Sequence, residues 1–197
     1  MKKNILFGLL AAFLALPAAA QNFNVVTPSG HTVRCKIMSN GYADISRGNV
    51  ADTWSNQDTV TYKGHLIIPS TVEYEGTTYT VTRMGYDNDF KNCTGITELT
   101  IPSSVTSFCS FSNCTSLATV HWNAPSIASY GVFEKCTSLT VVNLGSEVPQ
   151  SNYFSYFFSA ISNLQSINVD ADNEDLQSID GVLYDKDGYT LIFCPIT

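Results

Sequence analysis

The amino-acid sequence predicts a repeat solenoid dominated by β-structure, with a short parallel sheet, little helix and a β-rich N-terminal cap. Two observations support this fold class. The first is a composition rich in small polar residues, and the second is a segment of 21–25 residues that recurs through the second half of the chain. A unit of that length with one short strand cannot bury its own apolar face, so the units are expected to stack.

The composition narrows both the fold and the function. Ser, Thr and Asn supply 56 of the 197 residues, which favours strands and turns over helical bundles. Only 14% of the residues are charged and 44% are hydrophobic, so the chain does not belong to the disordered, highly charged class. The net charge of −7 argues against nucleic-acid binding, because phosphate contacts need clustered Lys or Arg.

The N-terminus has the pattern of a secretory signal peptide. Two lysines precede an apolar run of 12 residues from Ile5 to Leu16, and small residues follow up to Ala20. Twelve residues span ~18 Å as a helix, which is short of the ~30 Å hydrocarbon core of a bilayer. We therefore expect residues 1–20 to be removed by cleavage after Ala20. The mature chain is expected to be secreted or displayed at the cell surface, without an integral membrane segment.

The repeat is most visible at a phenylalanine and a cysteine three residues later. Three copies share this pair, and a fourth has isoleucine in place of the cysteine. The phenylalanines are Phe90, Phe111, Phe133 and Phe158. Each copy continues into a short run whose outer residues are apolar and whose middle residue is polar, which is the period-two pattern of a half-buried strand. The predicted strands are Leu99–Ile101, Val120–Trp122, Val142–Leu144 and Ile167–Val169.

An earlier copy of the strand precedes these four. The segment Leu66–Val72 matches Leu99–Val105 almost residue for residue. Between this copy and the first phenylalanine, two β-rich arms around a glycine indicate a hairpin inserted near residues 73–81. The repeats are thus predicted to form about five coils over residues 65–197, after a β-rich N-terminal cap region at residues 21–64.

Particular residues are expected to shape each coil. Pro102 should end its strand, because proline has no N–H for the ladder. Gly85 and Gly131 occupy equivalent corners, where a positive φ is expected. The side chains predicted to point inward in one coil are Ile96, Leu99, Ile101, Val105, Phe108 and Phe111.

The recurring pattern resembles the BspA-like leucine-rich repeat of secreted and surface proteins of Bacteroidetes. One coil carries it in Ile101, Pro102, Val105, Thr106, Phe111, Cys114 and Leu117, and the preceding coil in Val81, Thr82, Gly85, Phe90, Cys93 and Ile96. The resemblance covers about residues 60–197. It implies a leucine-rich-repeat solenoid and a role in adhesion.

Six cysteines in a chain expected to be secreted raise the question of disulfides. Cys93, Cys114 and Cys136 hold one repeat position, and Ile161 replaces them in the fourth copy. A position that accepts isoleucine favours buried free thiols over disulfides. Parallel Cβ directions in adjacent coils also disfavour a bridge, although the spacing of about 4.8 Å is within range. Three further cysteines have no repeat partner and stay unassigned: Cys35, Cys109 and Cys194.

No sequence motif indicates catalysis, a metal or a cofactor, so the chain is predicted not to be an enzyme. His31, His65 and His121 lie in unrelated contexts, without the spacing of a metal site. A Cys-x-x-Cys pair, as in structural zinc sites, is absent from the sequence. The acidic cluster Asp170–Asp175 lacks the glycine of an EF-hand loop and is interpreted as a solvated turn.

The candidate binding surface is the outward side of the predicted strands. The residues assigned to it are Glu98, Thr100, Thr119, His121, Asn143 and Asn168. They lie in two columns, which Val141 and Ser166 complete. Such a surface is polar, rigid and nearly uncharged, and it suits an extended partner. Four aromatic residues are candidates for additional platforms, although core positions are an open alternative for them: Trp54, Tyr130, Tyr153 and Tyr156.

Two functions are open at this point. The first is a secreted or cell-surface, non-catalytic binding or adhesion protein that contacts host or bacterial macromolecules, with a protein or glycan as ligand. The alternative is a structural or assembly module that self-associates through the open ends of the solenoid. Neither hypothesis involves a cofactor or nucleic acid.

Overall fold

The computed structural model describes residues 22–48, 62–85, 89–128 and 131–195. The predicted signal peptide lies outside these ranges, as do Trp54 and Tyr130. Within them the chain forms thirteen strands and one short helix. The strands are β1 (Asn22–Val26), β2 (Thr32–Ile37), β3 (Ala43–Ser46), β4 (Gly64–Ile67), β5 (Thr71–Tyr74), β6 (Thr77–Met84), β7 (Ile96–Ile101), β8 (Thr119–Trp122), β9 (Val141–Leu144), β10 (Ser166–Val169), β11 (Leu176–Ile179), β12 (Val182–Asp185) and β13 (Leu191–Phe193). The helix is α1 (Phe154–Ser159).

Five strands form a parallel sheet in the order β4-β7-β8-β9-β10. Strands β7, β8 and β9 pair in register, so that Leu99 lies beside Val120 and Val120 beside Val142. These three side chains are completely buried, as their alternation with polar residues predicts. The strand ends at Ile101, before Pro102, as expected. The predicted β-dominated solenoid with a short parallel sheet and little helix is confirmed.

The repeated phenylalanines pack in one core column, as predicted. The Phe90 and Phe111 rings stack with centroids 5.2 Å apart, and Phe111 and Phe133 follow at 6.0 Å. All three side chains are at most 1% exposed. Burying each large apolar side chain contributes roughly 1.5–3 kcal/mol, so the column is a main source of stability for the stacked coils. Phe108 differs from the predicted inward set because it is only partly buried, although its ring lies 4.5 Å from that of Trp122.

The corners of the coils use the left-handed backbone conformation. Gly85 and Gly131 have φ values of +82° and +52°, as expected. A second left-handed position precedes each repeat cysteine, at Asn92, Asn113 and Lys135, with φ of +60° to +61°. Asparagine tolerates this conformation better than most side chains do, so two of these three positions have a suitable residue.

The N-terminal strands form a second sheet, in the order β1-β2-β3-β6-β5. Strands β5 and β6 pair antiparallel, and their turn contains Glu75 and Gly76, both with positive φ. Strand β6 also pairs in parallel with β3. The sheet therefore contains residues from both sides of residue 64, and the division of the chain at that point stays a prediction.

The C-terminal strands form a three-stranded antiparallel sheet, in the order β11-β12-β13. Its first turn meets the edge of the parallel sheet, where the Ile167 amide donates to the Gly181 carbonyl oxygen at 2.9 Å. One residue of the predicted solvated turn is in fact 1% exposed. This residue, Asn173, donates to the carbonyl oxygens of Gly145 and Val148 and accepts from two backbone amides.

A helix that spans a bilayer would need a long, uninterrupted apolar segment. None of the helical residues in the described part of the chain forms such a segment.

Candidate functional site

The outward side of the parallel sheet brings the predicted surface residues into two straight columns. The paired registers place Glu98 beside Thr119, and Thr100 beside His121. The next pairings add Val141 and Ser166 to the first column, and Asn143 and Asn168 to the second. Because the strands are short and in register, each residue has a fixed neighbour in the next coil. Whether these residues bind a ligand stays a prediction.

A continuous series of side-chain hydrogen bonds crosses this surface. Ser166 Oγ donates to Asn168 Oδ1 at 3.0 Å, and Asn168 Nδ2 donates to Asn143 Oδ1 at 2.8 Å. Asn143 Nδ2 then contacts His121 Nδ1 at 3.3 Å, and His121 Nε2 contacts Glu98 Oε1 at 2.7 Å. A carboxylate only accepts, so the neutral imidazole donates from Nε2 and accepts at Nδ1. We call these five residues the polar ladder.

A second histidine joins the polar ladder at its N-terminal end. His65 of β4 lies beside Glu98 in the sheet register. Its Nδ1 is 3.6 Å from Glu98 Oε2 and its Nε2 is 2.8 Å from Thr100 Oγ1. The rings of His65 and His121 have centroids 6.0 Å apart. The two histidines lie in unrelated sequence contexts, and in the structure both contact one carboxylate.

The polar ladder is accessible and retains hydrogen-bonding capacity. The side chains of Glu98 and His121 are 38% and 35% exposed. An asparagine side chain has two N–H donors and two carbonyl lone pairs. Asn143 uses one donor toward His121 and one acceptor position toward Asn168, which leaves one of each for a ligand. Glu98 is the single carboxylate among the predicted surface residues, so the surface is close to neutral when both histidines are neutral.

Two of the predicted aromatic platforms lie at the surface. Tyr153 and Tyr156, beside and within α1, are 53% and 54% exposed. Tyrosine combines a rigid apolar ring with a polar hydroxyl, which makes it a frequent contact residue in binding surfaces.

The repeat cysteines line the interior of the same coils, and we call Cys93, Cys114 and Cys136 the thiol column. All three are buried and reduced, as predicted. Cys114 Sγ donates to the Phe90 carbonyl oxygen and Cys136 Sγ donates to the Phe111 carbonyl oxygen, each at 3.2 Å.

Contacts between the thiols shift their acidity. Hydrogen bonding with the Cys136 and Cys93 thiols, together with burial, raises the pKa of the Cys114 thiol. The neighbouring Cys114 thiol lowers the pKa of the Cys136 thiol. The thiol column is therefore one interacting group rather than three isolated side chains.

The other three cysteines have separate surroundings. Burial raises the pKa of both the Cys35 and the Cys109 thiols to about 12, which suppresses the reactive thiolate. Cys109 packs against Gly85, where an added Cβ would overlap its own. Cys194 is exposed.

A metal site requires several ligating side chains in one place, and the structure describes residues 22–48, 62–85, 89–128 and 131–195. In this part of the chain, His, Cys, Asp and Glu side chains form no group of three or more that could hold a metal ion.

Comparison with known proteins identifies the repeat. The family model described as "BspA type leucine rich repeat region" matches residues 79–183 in six copies. No curated protein sequence matches the chain significantly.

Three solved structures are similar to parts of the chain. They are the pneumococcal vaccine antigen PcpA (16% identity, TM-score 0.31), a leucine-rich cell surface protein of Faecalibacterium prausnitzii A2-165 (20% identity, TM-score 0.29) and a leucine-rich repeat protein of Eubacterium ventriosum ATCC 27560 (14% identity, TM-score 0.36). The matches cover 90%, 88% and 85% of this chain and 57%, 62% and 49% of those proteins. The chain thus spans about half to two thirds of the length of each.

Proposed function

The chain belongs to the family of BspA-type leucine-rich repeat proteins, and from that membership we propose that it is a secreted or cell-surface, non-catalytic binding protein. Its ligand in this proposal is a protein or glycan of the host or of a bacterial surface. The signal-peptide pattern of residues 1–20 supports export.

The polar ladder is the observation that carries the binding proposal. Its five side chains hold one another in place across four adjacent strands, with hydrogen bonds of 2.7–3.3 Å. The four strands span about 14 Å at the usual ~4.8 Å strand spacing. A surface whose side chains are already ordered loses little conformational entropy when a partner binds. An extended polar partner, such as a peptide strand or an oligosaccharide, matches its length and its hydrogen-bonding groups.

The lack of charge also favours this kind of partner. With neutral histidines, the polar ladder carries a single carboxylate, and that carboxylate is already engaged by His121. A nearly neutral surface of donors and acceptors recognises hydroxyl and amide groups, whereas nucleic acid needs clustered cations. We therefore place glycans and peptide segments ahead of polyanions as ligands.

The proposal is tested by finding a ligand and then altering the polar ladder. A glycan array and pull-downs with the purified chain identify a candidate, and titration calorimetry measures its affinity. We expect Asn143→Arg and His121→Glu each to weaken binding at least tenfold, because each introduces a charge at the centre of the contact. Ser138→Arg is the matched control, since Ser138 is exposed in the same coil as Asn143 but precedes the strand. Unchanged affinity in both polar-ladder variants would rule this surface out.

A second candidate function is self-association, which one feature of the C-terminal sheet favours. Ile179, Tyr189 and Leu191 are 46%, 92% and 56% exposed there. Light scattering over a range of concentrations tests this function: a mass that increases with concentration in the wild type and stays at one chain in Leu191→Lys supports assembly. Val26→Lys is the control, because Val26 is an apolar strand residue of the N-terminal sheet and is 69% exposed. A wild type that is monomeric throughout contradicts assembly.

A further inference from the structure

We propose that the thiol column is a site of oxidation by peroxides, in which Cys114 forms a disulfide with Cys93 or with Cys136 while the third cysteine stays a thiol. This inference concerns the interior of the coils and does not depend on the proposed binding function. Four features of the structure carry it, namely the register of the coils, their hydrogen bonds, the contacts of the thiols and the central place of Cys114.

The register places the three cysteines at equal steps along the stack. Each one lies six residues before a strand residue of β7, β8 or β9, and these strand residues are Leu99, Val120 and Val142. They pair directly with one another. Neighbouring strands are about 4.8 Å apart, and disulfides join Cα atoms about 4.4–6.8 Å apart. Cysteines in adjacent coils are therefore within bridging range.

Hydrogen bonds beside the thiol column hold the coils at this spacing. The Asn92 amide donates to the Ser112 carbonyl oxygen at 3.0 Å, and the Asn113 amide donates to that of Glu134 at 2.8 Å. Asn113 Nδ2 also donates to Asn92 Oδ1 at 2.8 Å. These bonds immediately precede the cysteines in sequence, so they hold adjacent coils together next to the thiol column.

Parallel Cβ directions disfavour a disulfide, but the thiols of adjacent coils are in contact. The Cys114 thiol is within hydrogen-bonding reach of both the Cys136 and the Cys93 thiols. In the reduced state its hydrogen is directed to the Phe90 carbonyl oxygen, and S–H is a weak donor. A rotation of the side chain toward either neighbour gives up only this weak bond.

Cys114 must be a member of either bridge. Cys93 and Cys136 are two coils apart, or ~9.6 Å, which exceeds the ~7 Å beyond which Cα atoms cannot be bridged. The thiol column thus has two alternative disulfides that share one residue, and forming the first removes the partner of the second.

The reaction with hydrogen peroxide begins when one thiol loses its proton and becomes a thiolate. The thiolate sulfur attacks a peroxide oxygen and the O–O bond breaks. The leaving hydroxide takes up the proton that the thiol released, so the products are a sulfenic acid and water. The neighbouring thiol then attacks that sulfur, the S–S bond forms, and the sulfenic oxygen leaves as a second water. In total two thiols and one peroxide give one disulfide and two waters.

Peptide mapping of the full chain tests the proposal. The experiment uses the Cys194→Ser variant as its background, because removing the exposed thiol of Cys194 prevents disulfides between chains. The folded protein is treated with hydrogen peroxide, alkylated in guanidinium and digested with chymotrypsin without reduction. Trypsin is unsuitable, because no Lys or Arg lies between Cys93 and Cys114. Chymotryptic cleavage after Phe108 and Phe111 separates these two cysteines from each other and from Cys109.

We expect one disulfide per chain, with Cys114 as one of its members, and reversal by a thiol reductant. In Cys114→Ala the amount of disulfide should fall at least tenfold, whereas Cys93→Ala and Cys136→Ala should each keep a bridge from Cys114 to the remaining partner. If Cys114→Ala does not fold, the wild-type map and the two flanking variants still decide the question. A wild type that keeps its buried cysteines alkylatable after peroxide treatment overturns the proposal, as does a disulfide that excludes Cys114.

Discussion

The two faces of strands β7, β8 and β9 differ in the side chains that they accept, although residues on opposite faces are adjacent in sequence. On the inner face, Leu99, Val120 and Val142 are completely buried, and all three are branched aliphatic residues. On the outer face, the alternate positions hold threonine, histidine and asparagine. Close packing restricts the inner positions by shape and polarity, whereas the outer positions accept polar residues and also Val141. The outer face is therefore where the sequence can vary without loss of the fold.

The largest effect should come from opening a cavity on the inner side. Phe111 is 1% exposed and lies between the Phe90 and Phe133 rings. We expect Phe111→Ala to lower the free energy of unfolding by about 3–5 kcal/mol, measured by urea denaturation. Tyr153→Ala removes an exposed aromatic ring and should change it by about 0.5 kcal/mol or less. Equal losses in the two variants would contradict the assignment of the phenylalanine column as the core.

A pair of asparagines sharpens the comparison, because the residue type is the same and only the surroundings differ. Asn173 is 1% exposed and makes four hydrogen bonds to backbone groups. We expect Asn173→Ala to lower the free energy of unfolding by about 2–3 kcal/mol, since buried backbone groups lose their partners. Asn143→Ala should cost about 0.5 kcal/mol or less, because water replaces its partners. Thermal and urea unfolding of both variants show whether burial or residue type determines the loss in the free energy of unfolding.

The smallest effect should appear at a corner, which belongs to neither face. Lys135 has φ of +61°, whereas the equivalent positions hold Asn92 and Asn113. Lys135→Asn should raise the free energy of unfolding by about 0.5 kcal/mol, because asparagine tolerates the left-handed conformation better. Lys135→Ala is the control that removes the lysine side chain without this tolerance. If alanine stabilises as much as asparagine does, as judged from the shift in Tm, backbone conformation is not the cause.

The repeat made most of the fold predictable. Equivalent residues in stacked coils have equivalent surroundings. The repeated sequence pattern therefore predicts four strands, the phenylalanine column, the buried repeat cysteines and the glycine corners. Asn173 shows where this reasoning ends. It lies among acidic and polar neighbours, and only the approach of the segment around Gly145 and Val148 buries it. Contacts between segments distant in sequence leave no local pattern.

The sequence predicts which residues of the candidate site point outward, but it does not predict the hydrogen bonds between their side chains. Outward residues follow from strand alternation, so Thr100, His121 and Asn143 were placed correctly on one face. His65 was missed, although the match between the Leu66 and Leu99 segments puts His65 beside Glu98. Extending that alignment by one residue would have found the neighbour. The tilt of two rings toward one carboxylate depends on side-chain rotamers, which the alignment does not specify.

The hydrogen bonds of the polar ladder all have the same sense. From Ser166 to Glu98, each donor belongs to the coil nearer the C-terminus or to the same strand, and the series ends at a group that only accepts. The surface therefore has a direction across the strands, from Ser166 at one end to Glu98 at the other. A ligand with its own direction, such as a peptide or a sugar chain, meets a different order of donors and acceptors when it is turned end for end. A partner that uses this surface would accordingly be held in a single polarity, and that polarity is set by Glu98.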